Sequence, residues 1–221
     1  MHTLIRMHIR PAMVRWVYQS MALMLALFLS THAWANIDPK AAPPEFIQAV
    51  ADQALQAVKN DPDAQQGDRE AIDRLIDEYV LPYVNFEKTT RLAAGRHWRQ
   101  ASEQQRNALV EAFKNTLVRT YSGALSKVDQ LSEIKVQPFR GDPEAADVVV
   151  RSVVSQRGNP DVAVDYRMEK TPEGWKIYDI NIEGIWLIQN YRNQFSQVIN
   201  EQGFDGLVDA LNKQRVAPAN Q

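Results

Sequence analysis

The apolar residues of this chain change their spacing partway along it. Up to about residue 125 they recur at helical intervals, and from Ile134 onward they alternate with polar residues. A chain that places its helices first and its strands afterwards cannot build the repeating crossovers of a parallel sheet, so the pattern predicts an α+β domain. Strands are expected over 134–139, 147–156, 162–169 and 175–182. They are separated by Arg140-Gly141-Asp142-Pro143, Arg157-Gly158-Asn159-Pro160 and Thr171-Pro172-Glu173-Gly174. Connections this short join antiparallel neighbours, which gives a meander of about four strands. In the last strand Trp175 and Ile177 fall on one parity and Tyr178, Ile180 and Ile182 on the other, so either a bulge or cover on both faces is expected.

The helical half is equally explicit. After an extended stretch 36–44, Phe46, Ile47, Val50, Ala54, Leu55 and Val58 form one stripe, stopped by Asn60-Asp61-Pro62. Asp68 is placed to cap a second helix carrying Ile72, Leu75, Ile76 and Tyr79, which Pro82 ends or kinks. A short segment 86–94 is closed by Gly95. Ser102 and Gln105 then spell a capping box for a long helix over 103–125, with Leu109, Phe113, Leu117 and Tyr121 stacked at i, i+4. Val110, Ala112, Val118 and Ala124 widen that stripe beyond one face. Past Gly184, Ile188, Tyr191, Phe195, Val198 and Ile199 predict a helix that ends at Gly203, and Leu207, Val208 and Leu211 a last short one. The total is five or six helices around one sheet.

The N-terminus stands outside this scheme. Arg6, Arg10 and Arg15 precede the apolar run Met21 to Leu29, which closes on Ala33-Trp34-Ala35. This is the form of a secretory signal peptide with cleavage after Ala35. As a membrane anchor it falls short of the ~20 apolar residues a spanning helix needs. Its removal leaves a single domain over 36–213 and a flexible tail over 214–221. The remaining 186 residues hold 22 basic and 27 acidic side chains, a net charge of −5. That balance gives no footing for nucleic-acid binding.

Most chemistries are excluded by residue type. With no cysteine in the chain there is no disulfide, thiolate metal site or cysteine nucleophile. His97 is the one histidine left after the leader, too few for zinc. It sits in Gly95-Arg96-His97-Trp98-Arg99 with no acid in local register, and reads as an exposed or packed histidine beside a tryptophan rather than a catalytic one. No nucleophile elbow, phosphate-cradling loop or calcium loop occurs. Arg140-Gly141-Asp142 is turn chemistry; no cofactor or metal is expected, and two of the 27 acids meeting in a cleft stay open as an acid–base pair. What remains is an apolar excess on the inward stripes, which spacing alone leaves open between a filled core and a lined pocket.

Several blocks in the C-terminal half occur together in order and spacing. They are Gly174-Trp175-Lys176-Ile177-Tyr178-Asp179, Ile182-Glu183-Gly184-Ile185, Asn190-Tyr191-Arg192-Asn193-Gln194-Phe195 and Gly203-Phe204-Asp205-Gly206-Leu207. With Phe86 to Arg99 and the Phe113 to Tyr121 helix, they resemble the MlaC (toluene-tolerance) family of periplasmic phospholipid-binding proteins. The resemblance covers about residues 43–213. One departure is Trp186, where the family usually carries a small serine.

The resemblance implies a cone-like fold whose curved sheet packs against helices around an apolar cavity. It also implies a non-enzymatic carrier that shuttles phospholipid between an outer-membrane lipoprotein–porin complex and an inner-membrane ABC transporter complex with a lipid-binding ring, maintaining outer-membrane lipid asymmetry. The residues expected to line the tail cavity are Phe113, Leu117, Tyr121, Val150, Val164, Tyr166 and Tyr178. Arg96, Arg99 and Arg192 are expected at its mouth or in docking to anionic partners. For Arg192, an ion pair with Glu183 or Asp179 is the structural alternative. Two other functions fit the same pattern: a lipid-modifying enzyme using one acid or tyrosine of the pocket, and an adaptor with a filled core.

Overall fold

The computed structural model describes residues 37–125, 131–142 and 144–216. The expected leader and the end of the tail lie outside the described residues. Helix α1 (Pro43–Asn60) begins on proline, whose missing N–H costs nothing in a first turn, so the extended stretch is two residues shorter than the prolines suggested. Asp61 does not simply stop the chain. Its carboxylate accepts from the amides of Asp63 and Ala64 and caps a one-turn helix, α2 (Pro62–Gln65). Helix α3 (Arg69–Tyr79) is capped by Asp68, which accepts from Ala71 N at 2.8 Å. A 3-10 turn at Leu81–Tyr83 absorbs Pro82. Helix α4 (Phe86–Ala94) ends on Gly95, whose φ of 56° opens a second 3-10 segment, Gly95–Gln100.

The capping box before α5 (Glu103–Leu125) closes in both directions: Ser102 N donates to Gln105 Oε1 and Gln105 N to Ser102 Oγ, each at 3.2 Å. The strands follow as β1 (Leu131–Val136), β2 (Asp147–Gln156), β3 (Val162–Thr171), β4 (Gly174–Ile182) and β5 (Ile185–Trp186). They form one open antiparallel meander in sequence order. Among the described residues there are five strands rather than four, since two residues of β5 are too few to show alternation. The parity break in β4 is a bulge: Arg167 pairs with Asp179 and Met168 with Ile177, leaving Tyr178 between them. Helix α6 (Leu187–Asn212) runs through Gly203, where a φ of 72° kinks it between the two expected segments.

Three apolar cores hold these elements. One joins α4, α5 and α6 around Phe113, Tyr191 and Phe195. A second packs Phe46, Ile47 and Val50 of α1 onto Val148, Val150, Met168 and Ile177 of the sheet. The third closes α1, α2 and α3 around Val58, Ile72 and Leu75. The segment before α1 is strapped to the start of β4. Trp175 N donates to the Pro39 carbonyl at 2.8 Å, and the Trp175 indole to the Ala41 carbonyl at 3.1 Å. No described helix is long and apolar enough to cross a membrane.

Gly174 combines a φ of 123° with a backbone approach to Pro39 that leaves no room for a Cβ. Gly174→Ala is therefore expected to cost more than about 1 kcal/mol of unfolding free energy, read as a lower urea midpoint. An unchanged midpoint would show that the strap does not depend on this approach.

Candidate functional site

Where β3 and β4 face α5 and α3, the side chains leave a cavity of about 310 Å³. Val164 and Tyr166 of β3 and Ile177, Tyr178, Asp179, Ile180 and Ile182 of β4 form its sheet wall. A regular strand turns alternate residues away, and the bulge at Tyr178 is what lets neighbouring residues of β4 share one wall. The helical wall comprises Leu117, Val118, Tyr121 and Ser122 of α5 with Ile76 of α3. Val80, Leu81 and Val84 from the following turn, Phe86 and Thr89 of α4, and Leu187 of α6 complete it.

Of the seven residues expected around a cavity, Leu117, Tyr121, Val164, Tyr166 and Tyr178 stand in this wall. Two do not. Phe113, one turn before Leu117, is fully buried with its ring 4.8 Å edge-on from both Tyr191 and Phe195. Val150 pairs with Tyr166 across the sheet and packs into the α1 core. Spacing marked both as inward and could not tell which inward space each one fills. Ile177, Ile180 and Ile182 were missed, although the parity break in β4 was their signal.

Four polar side chains of the wall, Thr89, Tyr166, Tyr178 and Asp179, are engaged in hydrogen bonds. The Tyr178 hydroxyl donates to Asp147 Oδ1 at 2.7 Å. Lys88 sits 3.6 Å above its ring, paired with Glu169 at 2.8 Å and Asp147 at 3.2 Å. Burial, reinforced by Asp147, pushes the Tyr178 phenol far above its ordinary range, so it stays protonated. Burial also raises the Tyr121 and Tyr166 phenols. The Ser152 hydroxyl donates to the Val164 carbonyl at 3.1 Å and lies within hydrogen-bond reach of Tyr166 Oη at 3.3 Å. Thr89 donates to the Tyr178 carbonyl at 2.7 Å and pins α4 to β4.

Among the described residues of the cavity wall, Asp179 is the one carboxylate. Its Oδ1 accepts from Ile180 N at 3.0 Å and from Ile188 N, in the first turn of α6, at 3.1 Å. Its Oδ2 accepts from Arg167 at 3.0 Å. The N-cap position of α6 belongs to Trp186, whose side chain offers no acceptor. Asp179 supplies the missing cap from the neighbouring strand, and the Trp186 ring instead stacks 3.8 Å from the Arg167 guanidinium. Burial still holds the Asp179 carboxyl above its usual value, against Arg167 and the two amides. With both oxygens committed to structure, Asp179 is not placed to act as a free acid or base.

The three arginines expected at the mouth do come together, though not at this cavity. Arg96, Arg99 and Arg192 line a separate cleft of about 640 Å³ with Arg91, and the two walls share no residue. Arg192 makes neither expected ion pair: it donates to the Leu92 carbonyl, while Asp179 is taken by Arg167. His97 is buried beside Trp98, its Nε2 3.1 Å from Ser196 Oγ.

Residues 48–213 match the family model described as MlaC protein. A curated relative from Haemophilus influenzae, the intermembrane phospholipid transport system binding protein MlaC, is 21% identical over 179 residues, spanning 80% of this chain and 83% of that one. The toluene tolerance protein ttg2D of Pseudomonas putida is 22% identical over 164 residues, 74% of this chain and 75% of its own. A solved phospholipid-binding protein from Ralstonia solanacearum, in complex with a phospholipid, is 41% identical. It superposes with a TM-score of 0.73 over 79% of this chain and 96% of that one.

Asp179→Ala leaves the Ile188 amide without its acceptor and is expected to cost about 1–3 kcal/mol in urea unfolding. Asp179→Asn keeps an acceptor oxygen and is expected to cost less. Because the folded pKa lies above the unfolded one, the wild type gains stability as pH falls from neutrality through that folded value. The Asn variant lacks this gain, so the wild-type advantage should widen on acidification. A difference independent of pH would contradict the assignment.

Proposed function

Since the chain belongs to the MlaC family, we propose that it is a periplasmic carrier that takes phospholipid acyl chains into the cavity between its sheet and helices. In this reading the leader 1–35 exports it, and residues 36–213 work as one domain. It ferries lipid between an outer-membrane lipoprotein–porin complex and an inner-membrane ABC transporter complex carrying a lipid-binding ring, sustaining outer-membrane lipid asymmetry. The observation that carries the proposal is the apolar cavity itself, whose wall commits its one carboxylate to capping a helix. The phospholipid in the similar Ralstonia protein and the transport name of the Haemophilus relative support the same ligand class.

The energetics require such a shelter. At about 0.8 kcal/mol per methylene, a lipid with ~30 of them faces a barrier on the order of 20 kcal/mol to crossing water bare. A space of 310 Å³, at roughly 30 Å³ per water-sized group, holds about ten such groups. That is well short of two acyl chains, so loading must widen the cavity. The described residues of α5 make no hydrogen bond to the sheet, so on that side the walls meet through apolar side chains, while Thr89 and Asn85 pin the α4 side to β4. Separating them breaks apolar contacts that an entering chain replaces. The same looseness serves release, because a ligand bound equally well in every state is not handed over.

Leu117, Tyr121, Val164, Tyr166 and Tyr178 are the residues of the original set assigned to the tails. Leu117→Trp fills the cavity and Val164→Glu places a charge in it, so each is expected to lower co-purifying phospholipid several-fold. Ala163→Glu, on the exposed neighbour in β3, should leave it unchanged. Lipid phosphorus in solvent extracts, with circular dichroism as the check on folding, gives the answer. Equal lipid in folded Leu117 and Val164 variants would sink the assignment, and lipid returned with altered mass would favour an enzyme.

A further inference from the structure

Arg91 lies in the last turn of α4, Arg96 and Arg99 stand on the 3-10 segment after it, and Arg192 belongs to α6. All four are exposed and line one recess of about 640 Å³ whose wall, among the described residues, contains no carboxylate. Among the described residues none of the four makes a salt bridge. Two parts of the recess are held in place. Arg192 is held by two donations to the Leu92 carbonyl, from Nε at 3.2 Å and Nη2 at 3.0 Å, which leave its other N–H groups free. The segment bearing Arg96 and Arg99 is fastened from below, where Arg106 donates to the Trp98 carbonyl at 3.1 Å and lies 5.4 Å from the Trp98 ring. The Arg192 guanidinium, fixed in this way, is preorganised for a carboxylate, and the backbone carrying Arg96 and Arg99 is held beside it.

We propose that this cleft is a docking site for an acidic segment of a partner protein. Shape favours a protein over a membrane. A protruding chain of carboxylates can enter a recess and reach several arginines, whereas a flat anionic surface meets only the rim. The charge is also local, since the chain as a whole carries −2 and has no general attraction for polyanions. The inference rests on the carrier reading, which requires a partner at loading and release. The two sites share their scaffolding. Helix α4 sends Thr89 into the cavity wall and Arg91 into the cleft, and α6 does the same with Leu187 and Arg192. A partner seated in the cleft therefore grips two helices that also bound the cavity.

The test titrates the purified protein with a fluorescently labelled oligoglutamate peptide, read by anisotropy at low and raised salt. Vesicles of phosphatidylglycerol are run in parallel by co-sedimentation. Binding should weaken with salt. It should weaken about tenfold in the combined variant Arg91→Gln, Arg96→Gln, Arg99→Gln, the loss expected of three exposed charge pairs. Arg157→Gln, on a distant exposed turn, should bind as the wild type does. No peptide binding, or binding that survives the triple change, overturns the proposal, and so does arginine-dependent sedimentation with vesicles in the absence of peptide binding. Co-purifying lipid measured on the same samples separates the two readings. Wild type that holds lipid but ignores the peptide loses the cleft and keeps the carrier, and wild type that binds the peptide without lipid does the reverse.

Discussion

Helix α5 meets the β3–β4 pair through side chains alone, and the rest of the molecule is arranged around that contact. Leu117 and Tyr121 face Val164, Tyr166 and Ile180 across a gap that none of them fills. Elsewhere the helices are tied down. Gln48 of α1 accepts from Val136 N and donates to the Ile134 carbonyl, Thr89 of α4 donates into β4, and Asp179 caps α6. The result is a frame fixed at its edges with an unpinned apolar seam at its centre. Such a seam costs little to open when an apolar guest replaces the contacts it breaks.

Much of this was legible in the sequence where a local signal and a tertiary need coincide. The capping box at Ser102 and Gln105, the Asp68 cap and the glycine after Ala94 placed three helix boundaries, because each satisfies orphan backbone groups whatever surrounds it. Pro62 misled for the same reason in reverse. It halts α1, but Asp61 before it caps a new turn, which a proline in a first position allows. The sheet order followed from the short connections, while the two-residue β5 lay below the length at which alternation can be seen.

The site was less legible, and the reason is geometric. Phe113 and Leu117 lie one helical turn apart on the same stripe, yet one is sealed against Tyr191 and the other faces the cavity. Periodicity reports only that a side chain points inward. The arginines show the converse: Arg96 and Arg192 are far apart in the chain and were grouped through the family resemblance, but their cleft proved separate from the apolar cavity. Trp186 links the two levels. Without a cap oxygen of its own, it leaves that task to Asp179 and is repaid with the Arg167 stack, so the start of α6 is held by the same strand that walls the cavity.

The most direct measurement is photolabelling by a phospholipid with a diazirine near the end of one acyl chain, followed by mass-spectrometric mapping of the modified residues. The carrier account predicts label on Leu117, Tyr121, Val164 and Ile180, competed away by unlabelled phospholipid. Label confined to exterior positions such as the exposed Ile185 would contradict it, as would a protein that takes up no label.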